Sequence, residues 1–195
     1  MLTDLDDLRV PMERAELLQS LGRDGEAEVL FRRMVLATDA EQRSAGRVGL
    51  GRTLLERGDP AGAITVLDGE PVEEGYVLTA AQVRGESLLA LNRVAEAQAV
   101  YGALDGDAEA RVVRALGLGD CALAAENPVE ARGYYEQALT NSDRYYQALA
   151  MAGLVRTAVE TGDPTKAGEL LQKMRADYAD QEDAIAAARA AISGQ

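Results

Sequence analysis

GDCALAAENPVEARGYYEQAL, from Gly119 to Leu139, is the stretch that determines the predicted fold. Its first half has helical periodicity, the turn residues Glu126-Asn127-Pro128 interrupt it, and its second half resumes a helix. Small residues such as Ala122 and Ala131 stand where two antiparallel helices must come close, and Tyr135 can fill the space between them. The stretch therefore predicts a helical hairpin.

The same pattern recurs along the whole chain. An alanine follows each turn, at Ala27, Ala63, Ala97, Ala131 and Ala167, with spacings of 36, 34, 34 and 36 residues. A large apolar residue stands four positions later on the same helical face, at Phe31, Leu67, Tyr101, Tyr135 and Leu171. A fixed period of this length is typical of stacked helical repeats, in which each unit buries one face against its neighbours.

Turn residues divide each repeat into two helices. Pro60, Pro128 and Pro164 suit the start of a second helix, where a missing backbone donor is tolerated, and Gly58 and Gly162 suit a left-handed turn residue. First helices are predicted at 10–21, 41–57, 73–91, 107–125 and 143–161, and second helices at 24–37, 60–67, 93–104, 128–140 and 164–178. No stretch alternates as a strand would, so the predicted fold class is all-α. We predict a single domain over 1–195, with repeats at 8–41, 44–77, 78–111, 112–145 and 148–180 and a capping helix at 181–193.

These units resemble the tetratricopeptide repeat (TPR), which has a small residue on its first helix, an alanine after the turn and a large residue four positions later. The resemblance covers about five units, from Leu8 to Tyr178, although the Trp that starts the family's unit is missing. It implies a right-handed α-solenoid of stacked antiparallel helix pairs, a TPR-like superhelix. The first helices of such a fold line a concave groove that binds peptides or partner proteins.

By that resemblance, specific side chains of the first helices line the groove. They are Met12, Glu16, Gln19, Val48, Arg52, Leu55, Gln82, Glu86, Leu89, Leu116, Asp120, Leu123, Leu149, Arg156 and Val159. The mixture of Leu and Val with a few charges favours an amphipathic helix or an extended apolar segment of a partner protein. It lacks the Lys and Asn cluster with which some family members hold the C-terminal carboxylate of a chaperone. Arg52 would pair with an acidic group of the partner or with Glu86 or Glu16 of the chain itself.

The composition of the chain indicates which classes of partner and which cellular compartment to expect. The formal charge of −13 disfavours nucleic acid as a partner, because phosphate contacts need clustered Lys and Arg. No apolar run reaches the ~20 residues of a membrane-spanning helix, so we expect no membrane insertion. The acidic start of the chain differs from a signal peptide, and we expect a cytoplasmic protein, with the periplasm as the alternative if an export signal was removed. Cys121 is the only cysteine and is expected to be a buried packing residue.

The sequence offers no constellation for catalysis. The chain has no histidine, so the commonest general base and most zinc ligand sets are missing. Two glycine-rich stretches, 117–122 and 46–53, resemble nucleotide-binding motifs, but both continue a helical period where such motifs need a strand and a turn. We predict no enzymatic activity, no cofactor and no metal site.

The main prediction is therefore a noncatalytic protein-protein interaction module or scaffold. The alternative is a structural segment of a larger or self-associating assembly, a homo-oligomer in which Leu5, Leu8 and Met12 form an apolar docking face. The closing residues 173–192 also resemble those of bacterial cell-envelope assembly TPR proteins, which gives that alternative a location.

Overall fold

The computed structural model describes residues 9–194, with the side chains of 11–194, and its helices form two compact units that divide between Leu91 and Asn92. The first unit contains α1 (Arg9–Ser20), α2 (Asp24–Val35), α3 (Ala40–Glu56), α4 (Pro60–Leu67), a 3₁₀ turn (Glu74–Tyr76) and α5 (Val77–Ala90). The second contains α6 (Val94–Gly102), α7 (Ala108–Ala124), α8 (Pro128–Ala138), α9 (Arg144–Glu160), α10 (Pro164–Asp177) and α11 (Glu182–Ser193). Within each unit, helices that follow one another pack together, and α3 also contacts α5 while α7 contacts α9.

The helical content agrees with the sequence prediction. No strand occurs in the described residues, which confirms the all-α fold class. Every predicted helix is present, and the largest difference is at α5, which begins at Val77 because Glu74–Tyr76 form the 3₁₀ turn. The division of the whole chain into five repeats of a single domain stays a prediction. Leu5 and Leu8, two residues of the predicted apolar docking face, lie outside the described residues.

Side-chain caps fix where most helices begin. The residue before the helix accepts a hydrogen bond from a backbone N–H of the first turn at Asp39, Asp59, Asp107, Asn127, Asp143 and Asp163. A proline follows the cap in α4, α8 and α10, as predicted from their spacing. Because each such cap is worth about 1 kcal/mol, the hairpin register is determined locally as well as by packing.

The turn inside each hairpin uses a left-handed residue. A positive φ occurs at Gly22, Gly58, Asn92, Glu126 and Gly162, which share the period of the repeat. At Gly58, for example, the next N–H, that of Asp59, donates to the carbonyl of Leu54 at 2.8 Å and so caps the first helix. The prediction for Gly58 and Gly162 is confirmed, whereas Glu126 adopts the conformation, with φ of 57°, without being glycine.

The stripe of small and large residues that aligned the repeats is buried in both units. All five aligned alanines are 0% exposed, and the large residues that follow them are between 1% and 8% exposed. A Cβ at Gly119 would lie 2.6 Å from the ring of Tyr135, and one at Gly51 would lie 3.3 Å from Leu67. The helices therefore approach each other closely at these two glycines.

A second series of glycines, which the sequence analysis missed, makes room for the aromatic rings. Each lies on a first helix, against the ring carried by the second helix just before it, so that an added Cβ would overlap the ring. The pairs are Gly49 with Phe31, Gly117 with Tyr101, and Gly153 with Tyr135. Where the large residue is Leu67 instead, the equivalent place holds Val83, which is 0% exposed and in the same cluster. At the contact between a second helix and the first helix that follows it, an aromatic residue is therefore paired with glycine and leucine with valine.

Arg47 is a buried cation, 5% exposed, that terminates α4. Its guanidinium donates to the backbone carbonyl of Val66 at 2.9 Å, to that of Leu67 at 2.7 Å, and to that of Glu70. A positive charge at a helix C-terminus is favourable because the last carbonyls lack partners within the helix. Arg47 therefore ends this short helix and holds the segment after it against α3.

Candidate functional site

The predicted groove residues of the first unit differ in exposure. Glu16 and Glu86 are exposed, whereas Met12, Gln19, Arg52, Leu55, Gln82 and Leu89 are half-buried. Val48 is only 5% exposed and lies in one cluster with Leu67 and Val83. Its assignment to the groove is corrected, because a side chain enclosed between α3, α4 and α5 has no surface to offer a partner.

The second unit has a similar distribution. Leu123, Leu149 and Val159 are half-buried and pack against the edges of the core clusters. Leu116 is 9% exposed and belongs to the same cluster as Tyr135, so it is a core residue and its assignment to the groove is also corrected. The remaining candidates of this unit, Asp120 and Arg156, are half-buried and contact each other.

Arg52 is a half-buried cation on α3. Within the part of the chain that the structure describes, it forms no ion pair, so the expected intramolecular bridge to Glu16 or Glu86 is not made. Leu55 follows three residues later on the same helical face. This face of α3 therefore offers a guanidinium beside an apolar side chain.

Asp120, Tyr135 and Arg156 form one polar network that joins α7, α8 and α9. The Tyr135 hydroxyl donates to Asp120 Oδ1 at 2.7 Å, and Arg156 Nη2 donates both to that carboxylate oxygen and to the Tyr135 oxygen at 3.0 Å. The guanidinium also lies over the Tyr135 ring, 5.7 Å from its centroid. The structure thus brings together two predicted groove residues and one predicted core residue.

The electrostatics of this network favour a fixed charge state. Burial raises the pKa of the Tyr135 hydroxyl, and the Asp120 carboxylate raises it further. Burial alone would lower the pKa of Arg156, but the charge of Asp120 and its hydrogen bond to the guanidinium outweigh burial, and the pKa is raised. Tyr135 therefore keeps its proton and Arg156 its charge at neutral pH, so the network braces three helices rather than transferring protons.

Cys121 lies beside this network and is 0% exposed. Burial raises the pKa of its thiol from 9.0 to about 12, and the neighbouring Asp120 carboxylate adds to the effect. A thiol that stays protonated is a poor nucleophile at neutral pH. The prediction of a buried packing role is confirmed.

The thiol of Cys121 should destabilise the fold in alkaline solution. Its folded pKa lies above the unfolded value, so the folded chain keeps a proton that the unfolded chain releases. Its contribution to stability is therefore complete below pH 9.0 and is lost as the pH rises toward about 12. We expect the free energy of unfolding in urea to fall more between pH ~8 and pH ~10.5 in the natural chain than in Cys121→Ala. Equal falls would show that the thiol is not protected by the fold.

Two adjoining depressions open on the first unit. One of about 170 Å³ is lined by Met12, Glu13, Met34, Glu41, Gln42, Ala45 and Tyr76. The other, of about 410 Å³, is lined by Asp39, Ala40, Glu41, Glu73, Glu74, Gly75 and Tyr76. Burial, followed by the carboxylates of Glu41 and Glu16, raises the pKa of Tyr76. The turn before α5 therefore places acidic side chains around Tyr76, a grouping that the sequence did not predict.

The glycine-rich stretches do not form nucleotide-binding loops. Residues 46–53 lie inside α3 and residues 117–122 inside α7, where the glycines meet neighbouring side chains and backbone. In the described part of the chain, no group of three His, Cys, Asp or Glu side chains is arranged to hold a metal ion. Across residues 9–194, none of the helices combines the length and the apolar character needed to cross a bilayer.

Helix pairs that repeat with a period of 34 to 36 residues and share one pattern of small and large residues define a helical-repeat protein. Residues 122–192 match the family model of the tetratricopeptide repeat. The crystal structure of a thermophilic TPR protein of Thermus thermophilus superimposes with a TM-score of 0.74 over 95% of this chain and 98% of that chain, at 19% sequence identity. This likeness shows a shared fold. No curated protein matches the sequence.

Residues 122–192 thus carry the tetratricopeptide repeat that the sequence resemblance predicted, and the chain shares the fold of a TPR protein. Its all-helical architecture is that of an α-solenoid. Proteins of this family and fold generally mediate protein-protein interaction or scaffolding and are generally non-catalytic. They generally bind proteins or peptides.

Proposed function

We propose that the chain is a noncatalytic interaction module that binds a segment of a partner protein on the accessible side of its first helices. The proposal rests on one observation: Arg52 is half-buried and its guanidinium forms no ion pair in the described part of the chain. A partly dehydrated guanidinium gains more from a carboxylate than an exposed one does, and its planar donors favour two parallel hydrogen bonds. Arg52 is thus suited to an acidic group of the partner.

The half-buried apolar residues of the first unit define the rest of the proposed partner. Met12, Leu55 and Leu89 of the first unit are half-buried, so each still has apolar surface to cover. An acidic side chain flanked by apolar ones, on an amphipathic helix or an extended segment, matches this combination. In the second unit, Leu123, Leu149 and Val159 offer apolar surface of the same kind, whereas the charges of Asp120 and Arg156 already neutralise each other.

Replacing Arg52 with glutamate should abolish partner capture and leave the fold intact. The variant reverses the charge that we assign to the partner's carboxylate, and a like-charge contact in an interface costs several kcal/mol, or at least a hundredfold in affinity. The measurement is affinity capture from the native cell with quantitative mass spectrometry, comparing the natural chain with Arg52→Glu. Circular dichroism and the melting temperature report on the fold.

Arg33→Glu provides the matched control. Arg33 is an exposed arginine on α2, in a second helix, so the variant makes the same charge change away from the proposed surface. Proteins captured by the natural chain and by Arg33→Glu, but lost from Arg52→Glu, would support the proposed surface. Equal capture by all three chains would contradict the role of Arg52.

A further inference from the structure

The outer side of α1 carries large apolar residues where the repeat pattern elsewhere places buried ones. The positions equivalent to Leu17 in the later first helices hold Thr53, Ser87, Cys121 and Thr157, at the spacings of the repeat. These four side chains are 0% or 1% exposed, whereas Leu17 is 59% exposed and Leu21, one turn further along, is 61% exposed. In a repeat protein, an end that faces water normally needs a polar surface. The exposed Leu17 of α1 and Leu21 directly after this helix therefore indicate a surface that is covered in the working protein.

Glu13, one turn before Leu17 on α1, indicates the chemistry of the surface that would cover these leucines. Glu13 stands at the place that Gly49, Gly117 and Gly153 occupy in later repeats, where each glycine receives an aromatic ring from the preceding second helix. Glu13 is exposed and forms no ion pair among the described residues, so this place suits a cation and not a ring. The face of α1 thus combines two leucines with one carboxylate.

The last helix of the chain offers a complementary face. Ala184, Ile185 and Ala188 of α11 are buried against the second unit, while Ala186, Ala187 and Ala190 on its other side are exposed. Arg189 lies beside these alanines, is exposed and forms no ion pair in the described residues. A row of small residues with one cation is the counterpart of two leucines with one carboxylate. It repeats the large-on-small contact that the chain uses at its internal junctions.

We propose that α1 of one copy docks on α11 of a second copy, with Leu17 and Leu21 against the exposed alanines and Glu13 near Arg189. Both helices are 12 residues long, so they can lie side by side along their whole length. The contact joins two different surfaces, which leaves one end of each pair open to a further copy. Because each copy carries a charge of −13, long-range repulsion keeps the association weak at low ionic strength, and added salt strengthens it.

Light scattering and sedimentation of the full chain test this proposal from micromolar to near-millimolar concentration. We expect the weight-average mass to rise above the monomer value of 20.7 kDa as concentration rises. The double variant Leu17→Lys/Leu21→Lys should stay monomeric with unchanged circular dichroism, since both side chains are exposed. Val129→Lys, which changes a valine on α8 that is 76% exposed, should associate like the natural chain.

Mixing two variants distinguishes this arrangement from any other self-association. Ala186→Lys/Ala190→Lys should also be monomeric, because it places charge on the proposed face of α11. Mixed with Leu17→Lys/Leu21→Lys, however, each chain keeps one intact surface, so the mixture should form a species of twice the monomer mass and nothing larger. A natural chain that is monomeric at every concentration would overturn the proposal. Continued association of the α11 variant would also overturn it, and so would a mixture that stays monomeric. In either case α1 would be covered by something other than α11 of a second copy. The result does not depend on Arg52, which lies on α3.

Discussion

Gly117→Val should lower the free energy of unfolding by about 3 kcal/mol, as expected for overpacking at a rigid contact. Any Cβ at this position overlaps the ring of Tyr101, which is 2% exposed and therefore has little room to move. Valine is a slightly better helix former than glycine, so helix propensity alone would give the opposite sign. Urea denaturation monitored by circular dichroism measures the change.

Gly133→Val is the matched control for this prediction. Gly133 lies in α8, and an added Cβ there meets nothing within 4 Å. We expect a neutral or slightly stabilising effect, since only the helix propensity changes. A loss at Gly133 as large as that at Gly117 would mean that the backbone, and not the Tyr101 ring, is responsible.

A compensating change provides a stricter test of the same junction. Tyr101→Leu combined with Gly117→Val reproduces the natural pair Leu67 and Val83, which has the same separation of 16 residues. The double variant should be more stable than the sum of the single effects by at least ~1 kcal/mol, which is within the range for residues in contact. Additive losses would show that Tyr101 and Gly117 are not coupled.

Much of the fold could be predicted because its signals are local. Prolines after Asp59, Asn127 and Asp163 mark helix starts through caps that depend on only a few residues. The alanine stripe repeats at a fixed period, so five copies of one weak signal support each other. The left-handed conformation of Glu126 was harder to foresee, because glutamate has no intrinsic preference for it and adopts it through the position of the turn.

The candidate surface was predicted less well because exposure depends on contacts between helices. Val48 and Leu116 share a helical face with Arg52 and Asp120, and periodicity alone could not show that their side chains turn into the core. The pairing of Asp120 with Arg156 joins residues 36 positions apart, a contact that no local pattern predicts. The glycines opposite the aromatic rings, in contrast, could have been found from the sequence, since Gly49, Gly117 and Gly153 also recur with the repeat.

Arg47→Met should be about as destabilising as the glycine variant, at roughly 3 kcal/mol, although methionine fills a similar volume. Removing the guanidinium leaves the carbonyls of Val66, Leu67 and Glu70 without their donor, in a site where Arg47 itself is 5% exposed. A buried polar group without a partner costs its full desolvation energy. The stability of Arg47→Lys should lie between that of the natural chain and that of Arg47→Met. Lysine keeps the charge at the end of α4 but cannot donate in the same planar arrangement.

Hydrogen exchange should locate the effect of Arg47→Met at the end of α4. The amide of Asp68, which donates to Ile64 at 2.9 Å, and that of Glu73, which donates to Ser44 Oγ at 3.0 Å, should lose protection first. Arg33→Met, on the exposed side of α2, should change stability by no more than ~0.5 kcal/mol. Because the partners of Arg47 are carbonyls and not carboxylates, added salt should not restore the Arg47→Met chain. A loss of protection spread evenly over the first unit would instead mean that Arg47 supports the core as a whole and not the end of one helix.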